Sequence, residues 1–104
     1  MTSFWPFPDP QGRKVYTTRF VLEEGRPILA VSHDPDGEWE FLCATTDDPK
    51  DARQVSLAFI LDLDSSLAEV ADLPIAWRAL RDSPDAPWIQ SPFTSKELAE
   101  FRPR

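Results

Sequence analysis

The stretch that decides the fold is residues 28–44, which read ILAVSHDPDGEWEFLCA. Asp36 and Gly37 lie between two runs rich in apolar, β-branched and aromatic residues. An Asp-Gly pair between such runs is typical of a β-hairpin with a two-residue type I′ turn, because both central positions of that turn need positive φ. The sequence therefore predicts an antiparallel hairpin over 28–44.

A two-residue turn also predicts which residues face one another. It pairs Pro35 with Glu38 and places His33 opposite Glu40. One face then carries Ile28, Ala30, Ser32, Trp39, Phe41 and Cys43, and the other carries Leu29, Val31, His33, Glu40, Leu42 and Ala44. Because both faces are largely apolar, we expect the hairpin to be central and covered, at least in part, on each side.

Length and composition allow one globular domain. The 104 residues include 41% hydrophobic residues and four tryptophans, enough for a hydrophobic core. A single cysteine excludes an internal disulfide framework and favours a reducing, cytoplasmic location. There is neither an apolar run of membrane-spanning length nor a basic stretch followed by an apolar one at the start, so we expect no membrane association.

The rest of the chain predicts short helices and strands that alternate irregularly. The expected strands are 14–18, 54–57, 75–81 and 88–89, and the expected helices begin at Thr18, Asp48-Pro49, about Leu57, Ser66 and Thr94. Ser66 with Glu69, and Thr94 with Glu97, have the spacing of a capping box. We therefore predict a single α+β domain over 1–104, an antiparallel sheet centred on the 28–44 hairpin with short helices packed on it.

Residues 1–12 form an arm rich in proline and aromatic residues. Three prolines exclude a helix or an inner strand, so we expect extended chain. Because a free tail seldom carries Phe4, Trp5 and Phe7, we expect the arm to pack onto the domain.

The negative charge is concentrated in the middle of the chain. The net charge is −7, and residues 34–72 hold eleven acids against only Lys50 and Arg53. This excess disfavours binding to a phosphate backbone, which needs clustered basic residues. It indicates either a solvated face or an acidic surface that steers a basic partner.

Motifs for catalysis or metal binding are absent from the sequence. Counted from Asp34, an EF-hand loop would need glycine at Trp39 and glutamate at Thr45. His33 and Cys43, each the only residue of its type, fall on opposite predicted faces, which excludes a nucleophilic pair. The acid pairs Asp47–Asp48 and Asp62–Asp64 lie in polar stretches, where a shifted pKa is not expected. The sequence predicts no catalytic, cofactor or metal residues.

An aromatic and basic cluster, Trp77, Arg78, Arg81 and Trp88, lies late in the chain. Arginine over tryptophan is a cation–π arrangement that is also common at binding hot spots. The structural alternative is a core tryptophan whose neighbouring arginines pair with Asp82 or Asp85.

The segment from His33 to Cys43, followed by Ala71-Asp72-Leu73-Pro74 and Trp77, resembles small uncharacterised bacterial proteins of the domain-of-unknown-function families grouped with toxin-immunity proteins. In those families an acidic turn and a Trp-x-Phe core strand precede a Leu-Pro-x-x-Trp segment. The resemblance implies a cytoplasmic α+β domain that binds protein, and it carries over no catalytic motif.

We therefore expect a non-catalytic acidic module that binds a basic protein, as an immunity-like inhibitor would, and that needs no cofactor, nucleic acid or membrane. The candidate binding surface consists of His33, Asp34, Asp36, Glu38, Glu40, Asp47, Asp48, Trp77, Arg78 and Trp88. One alternative is a small-molecule-binding protein or enzyme with a tryptophan-lined pocket in which His33 and Glu40 make the polar contacts. Another is a structural module, monomer or homodimer, that dimerises through the N-terminal arm.

Overall fold

The computed structural model of the protein describes residues 4–44 and 48–103. Its strands are β1 (Lys14–Thr18), β2 (Ala30–His33), β3 (Trp39–Leu42), β4 (Ala52–Ser56), β5 (Trp77–Leu80) and β6 (Ile89–Pro92). Its helices are α1 (Arg19–Glu24), α2 (Leu57–Leu63) and α3 (Ser95–Glu100), with 3₁₀ turns at Pro49–Asp51 and Ser65–Val70. No helix in the described ranges has the length and apolar character needed to cross a membrane.

All six strands form one sheet in the order β4-β1-β3-β2-β5-β6. Every neighbouring pair is antiparallel except β1 and β3, which run parallel. The hairpin of β2 and β3 occupies the two central positions, so the predicted α+β domain built on this hairpin is confirmed. The parallel β1–β3 pair was not predicted, because it joins strands that are distant in sequence.

The turn of the hairpin differs from the prediction by one residue. The Asp34 amide donates to the Glu38 carbonyl at 2.7 Å, and the Gly37 amide donates to the Asp34 carbonyl at 2.8 Å. The loop therefore has three residues, and only Gly37, at φ 90°, has positive φ within it. Such a loop needs a left-handed residue at its last position alone, which suits glycine. The predicted two-residue type I′ turn is wrong.

The longer loop shifts the register of the hairpin by one residue. Relative to the side chains of β2, those of β3 therefore lie on the opposite face of the sheet from the predicted one. His33 pairs with Trp39, and Ser32 pairs with Glu40. The predicted His33–Glu40 pair is therefore wrong. The physical reason is packing, because this register places Val31 on the same face as Trp39 and Phe41, and all three are fully buried.

The sheet has two different faces as a result. The first, the core face, carries the largest buried side chains and packs against α1, α2 and the second 3₁₀ turn; its main members are Val15, Val31, Trp39, Phe41 and Ala79. The second, the open face, carries a row across all six strands: Gln54, Tyr16, Glu40, Ser32, Arg78 and Ser91.

Helix boundaries follow local chemistry. Gly25 ends α1 in the left-handed conformation at φ 66°. The Ser56 hydroxyl accepts from the Phe59 amide and starts α2. The capping box of Thr94 and Glu97 is present, as predicted. The box predicted for Ser66 is wrong, because the turn is capped two residues earlier, by the Asp64 carboxylate, which accepts from the Ser66 amide.

The described part of the N-terminal arm packs onto the domain, as predicted. The Phe7 side chain is 4% exposed, and its ring meets the edge of Trp39 at a centroid distance of 5.3 Å. The Trp5 indole donates to the Asp9 carbonyl at 2.7 Å, which closes a turn within the arm. Phe4, in contrast, is 87% exposed.

A candidate acidic binding groove

A cavity of about 720 Å³ lies on the open face, between the β2–β3 hairpin and the C-terminal segment, and we call it the acidic groove. Its polar lining consists of Ser32, Asp34, Asp36, Glu38, Glu40, Arg78, Glu97, Glu100 and Arg102. Its apolar lining consists of Leu42, Pro49, Phe93, Phe101 and Pro103. Six carboxylic acids and two arginines therefore converge on one space.

Four of the acids come from the hairpin, and the loop explains their convergence. Asp34 and Glu38 close the three-residue loop by pairing with one another, and Asp36 lies within it. The Asp36 carboxylate accepts from the Glu38 amide at 3.1 Å, which stabilises the turn. Glu40 is two residues beyond Glu38, so its side chain emerges on the same face of β3.

Asp34 and Glu40 form a hydrogen-bonded pair of carboxyl groups within the groove. Asp34 is 5% exposed, and the Ser32 hydroxyl donates to its Oδ1 at 2.5 Å. Burial, followed by the hydrogen bond with Glu40, raises the pKa of Asp34 to about 8. Because two ionised carboxylates can only accept, a hydrogen bond between them requires one proton. The pair therefore holds a proton at neutral pH.

The opposite wall of the groove is organised by α3. Arg78 reaches up from β5, pairs with the Glu97 carboxylate and lies over the Phe93 ring at 4.6 Å from its centroid. Glu97 is also held by Thr94, whose backbone amide donates to Oε1 at 2.8 Å. That backbone hydrogen bond, together with the Arg78 guanidinium, lowers the pKa of Glu97. Glu97 is therefore a fixed negative charge at the groove.

The sequence-predicted surface is divided between the groove and other parts of the domain. Asp34, Asp36, Glu38, Glu40 and Arg78 line the groove. Asp48 is exposed beside the groove residue Pro49 and caps the first 3₁₀ turn by accepting from the Lys50 amide at 3.0 Å. Asp47 lies outside the described residues.

His33 does not reach the groove. It projects into the core face, 8% exposed, where its Nδ1 donates to the Leu73 carbonyl at 2.7 Å. Since Ser32 and Asp34 on either side point to the open face, the alternation of the strand explains this position. His33 is therefore a core residue, and the expected contact between His33 and Glu40 in a common site is wrong.

The aromatic and basic cluster is split by the same alternation. Trp77 packs against the core and Arg78 projects into the groove, on opposite sides of β5. Arg81 lies 4.1 Å from the Trp88 ring centroid, and it pairs with Asp64 at 2.8 Å. The arginines therefore pair with Glu97 and Asp64, whereas Asp82 or Asp85 had been expected.

The tryptophan-lined pocket of the small-molecule alternative differs from the groove that is observed. The aromatic rings lining the acidic groove are phenylalanines, Phe93 and Phe101, and no described tryptophan is among its lining residues. Within the described ranges, no group of three or more His, Cys, Asp or Glu residues is arranged to hold a metal ion.

Glu97, Glu100 and Arg102 are groove residues that sequence reasoning missed. Residues 73–104 hold four acids and five bases, so the balanced charge of this segment concealed two acids that join the hairpin. The sequence signal that could have pointed to Glu97 is the capping box, because it fixes the orientation of this side chain at the first turn of α3.

Comparison of the chain with protein-family models, with curated proteins and with solved structures finds no match. The resemblance to immunity proteins therefore stays a prediction.

Proposed function

We propose that this protein is a non-catalytic acidic module that binds a basic segment of a partner protein in the acidic groove. The observation that carries the proposal is the convergence of six acids from two separate parts of the chain on one cavity. A cavity with an excess of negative charge attracts cationic ligands and raises their rate of encounter.

The charges of the groove favour a cation over other ligands. Its two arginines are already engaged, since Arg78 pairs with Glu97 and Arg102 donates to the Ala99 and Phe101 carbonyls. With one proton held by the Asp34–Glu40 pair, the six acids of the groove carry five negative charges against these two positive charges. An anionic ligand would meet net repulsion here.

The apolar walls favour lysine or arginine side chains in particular. Leu42, Phe93 and Phe101 offer surface against which an aliphatic stem can pack while its charged end meets carboxylates. The volume of about 720 Å³ accommodates more than one side chain, within the range usual for ligand pockets. A basic peptide segment or loop therefore fits better than a single small ion.

The specific form of this function that we propose is an immunity-like inhibitor, which covers a basic surface of a toxin or enzyme. Such inhibitors act by occupancy and require no chemistry of their own. Charge complementarity would supply a fast association and discrimination against acidic proteins.

A direct test uses a fluorescent peptide of alternating arginine and glycine, with a matched peptide in which citrulline replaces each arginine. Anisotropy should show binding of the arginine peptide at low salt, a loss of affinity of at least tenfold towards about 1 M salt, and no binding of the citrulline peptide. Binding that is insensitive to salt, or equal for both peptides, would contradict the proposal.

Matched variants locate the binding surface. Glu38→Gln with Glu100→Gln removes two charges from the groove, whereas Glu69→Gln with Asp72→Asn removes two exposed charges outside it. We expect the first double variant to weaken binding at least tenfold and the second to change it less than threefold. Equal losses would mean that net charge, and not the groove, governs binding.

A further inference from the structure

Strand β6 is an edge of the sheet, and its residues are uncharged. It pairs with β5 on one side, and no strand of the described residues lies on the other. Exposed edges are commonly protected by charged residues, by proline or by being short; β6 has four residues and ends at Pro92, but it lacks charge. Residues 89–92, Ile-Gln-Ser-Pro, carry no charge in a chain in which 28% of residues are charged.

Exposed apolar surface adjoins this edge. Ile89 is 64% exposed, and its cross-strand neighbour Leu80 is 48% exposed on the same face. The opposite edge is different, because β4 contains Arg53 and pairs with a strand that begins at Lys14. For a molecule of net charge −7, an uncharged edge is where a second copy can approach with least repulsion.

We propose that two copies of the chain pair their β6 strands antiparallel across a two-fold axis at Gln90, which joins the two sheets into one. This inference does not depend on the acidic groove. Dimerisation through the N-terminal arm was one alternative from the sequence. The described arm contributes Phe7 to the core of its own domain, whereas β6 offers unpaired backbone.

Symmetry requires one residue of β6 to pair with its own copy. Residues directly opposite each other in an antiparallel pair lie on the same face, so the two-fold axis passes midway between a residue and the same residue of the partner. With Gln90 at the centre, Ile89 faces the partner's Ser91, and the exposed amide of Gln90 meets its own copy. A glutamine amide carries both donors and an acceptor, so this contact is self-complementary. Pro92 lacks an amide hydrogen and limits the length of the pairing.

A four-residue strand buries little area, so the dimer should be weak. We expect a dissociation constant in the range of about 10 to 100 µM, which sedimentation equilibrium over about 5 to 500 µM protein will measure. The weight-average mass should rise from that of one chain towards that of two.

Two matched variants test the place of contact. Gln90→Lys puts a pair of like charges at the proposed axis and should weaken dimerisation at least tenfold. Gln54→Lys makes the same change at an exposed position of the β4 edge and should leave it unchanged. Circular dichroism verifies that both variants fold.

Three outcomes would overturn the proposal: a wild-type chain that stays monomeric at 500 µM, dimerisation that survives Gln90→Lys, or dimerisation that is lost in Gln54→Lys instead. Loss of the dimer in Phe4→Ser, which changes an exposed side chain of the arm, with Gln90→Lys unaffected, would assign the contact to the arm. None of these results bears on whether the acidic groove binds a basic peptide.

Discussion

The imidazole of His33 stacks on the indole of Trp39 with 3.9 Å between ring centroids and 13° between ring planes. The two residues are directly opposite in the β2–β3 ladder. This contact exists only in the register set by a three-residue loop. It therefore links the turn chemistry of Asp36-Gly37 to the packing of the core.

Replacement of His33 tests its structural role. His33→Ala removes the stacking on Trp39 and leaves the buried Leu73 carbonyl without its donor, so we expect a loss of about 3 kcal/mol in the free energy of unfolding. Urea denaturation measures this, with the exposed Gln54→Ala as a control that should change little. Folded His33→Ala should bind the arginine peptide as tightly as wild type. A loss of binding in the folded variant would mean that His33 belongs to the binding site.

The loop glycine should be sensitive to any side chain. Gly37 has φ 90°, a conformation that L-residues rarely adopt, although nothing lies within 4 Å of where a Cβ would stand. Gly37→Ala should therefore destabilise the protein by about 1 kcal/mol through backbone strain alone. Gly12→Ala, with no positive φ and the same open surroundings, is the control for thermal unfolding. A neutral Gly37→Ala would contradict the three-residue loop.

Stability should depend on pH through Asp34. Its folded pKa is raised to about 8 from an ordinary value of 3.8, so the folded protein holds a proton that the unfolded chain has lost between these values. The contribution of Asp34 to stability is therefore complete below about pH 4 and is lost as the pH rises through about 8. This one proton can change the free energy of unfolding by at most about 1.4 kcal/mol per pH unit.

Asp34→Asn removes the titrating group and keeps its size. The free energy of unfolding, measured by urea denaturation from about pH 5 to pH 9, should fall less steeply with pH in this variant than in wild type. Asp72→Asn, an exposed acid elsewhere, should leave the slope unchanged. Parallel profiles for wild type and Asp34→Asn would show that the carboxyl pair holds no proton.

Arg81 and Arg78 should contribute unequally to stability. The Arg81 side chain is 2% exposed, donates twice to the Ile28 carbonyl, at 2.8 and 3.0 Å, and pairs with Asp64. Arg81→Ala leaves the buried Ile28 carbonyl without these donors and removes the cation that pairs with Asp64, so we expect a loss of about 3 to 5 kcal/mol. Arg78 pairs with Glu97 at a more exposed position, and Arg78→Ala should cost less than about 1 kcal/mol.

Thermal and chemical unfolding of both arginine variants measures this difference. Arg81→Lys keeps the charge but loses the planar fork that serves both acceptors, so its stability should lie between those of wild type and Arg81→Ala. Similar losses of stability in Arg78→Ala and Arg81→Ala would contradict the finding that Arg81 is buried in the domain and Arg78 lies in the groove.

What the sequence determined by itself was local. Asp36-Gly37 between two apolar runs located the central hairpin, Gly25 ended α1, and Thr94 with Glu97 started α3, because turns and caps depend on the backbone chemistry of a few adjacent residues. The excess of acids over residues 34–72 was equally visible. These signals were sufficient for the α+β class and for part of the candidate surface.

Only the tertiary structure decided the register of the hairpin, the parallel pairing of β1 with β3, and the meeting of Glu97 and Glu100 with the acids of the loop. One residue of loop length reverses every side chain of a strand, and Asp36-Gly37 is compatible with loops of two or three residues. The choice follows from burying Val31, Trp39 and Phe41 together, a gain that depends on the helices and the N-terminal arm packed against them. Long-range packing, which no local pattern encodes, therefore separated His33 from Glu40 and formed the groove.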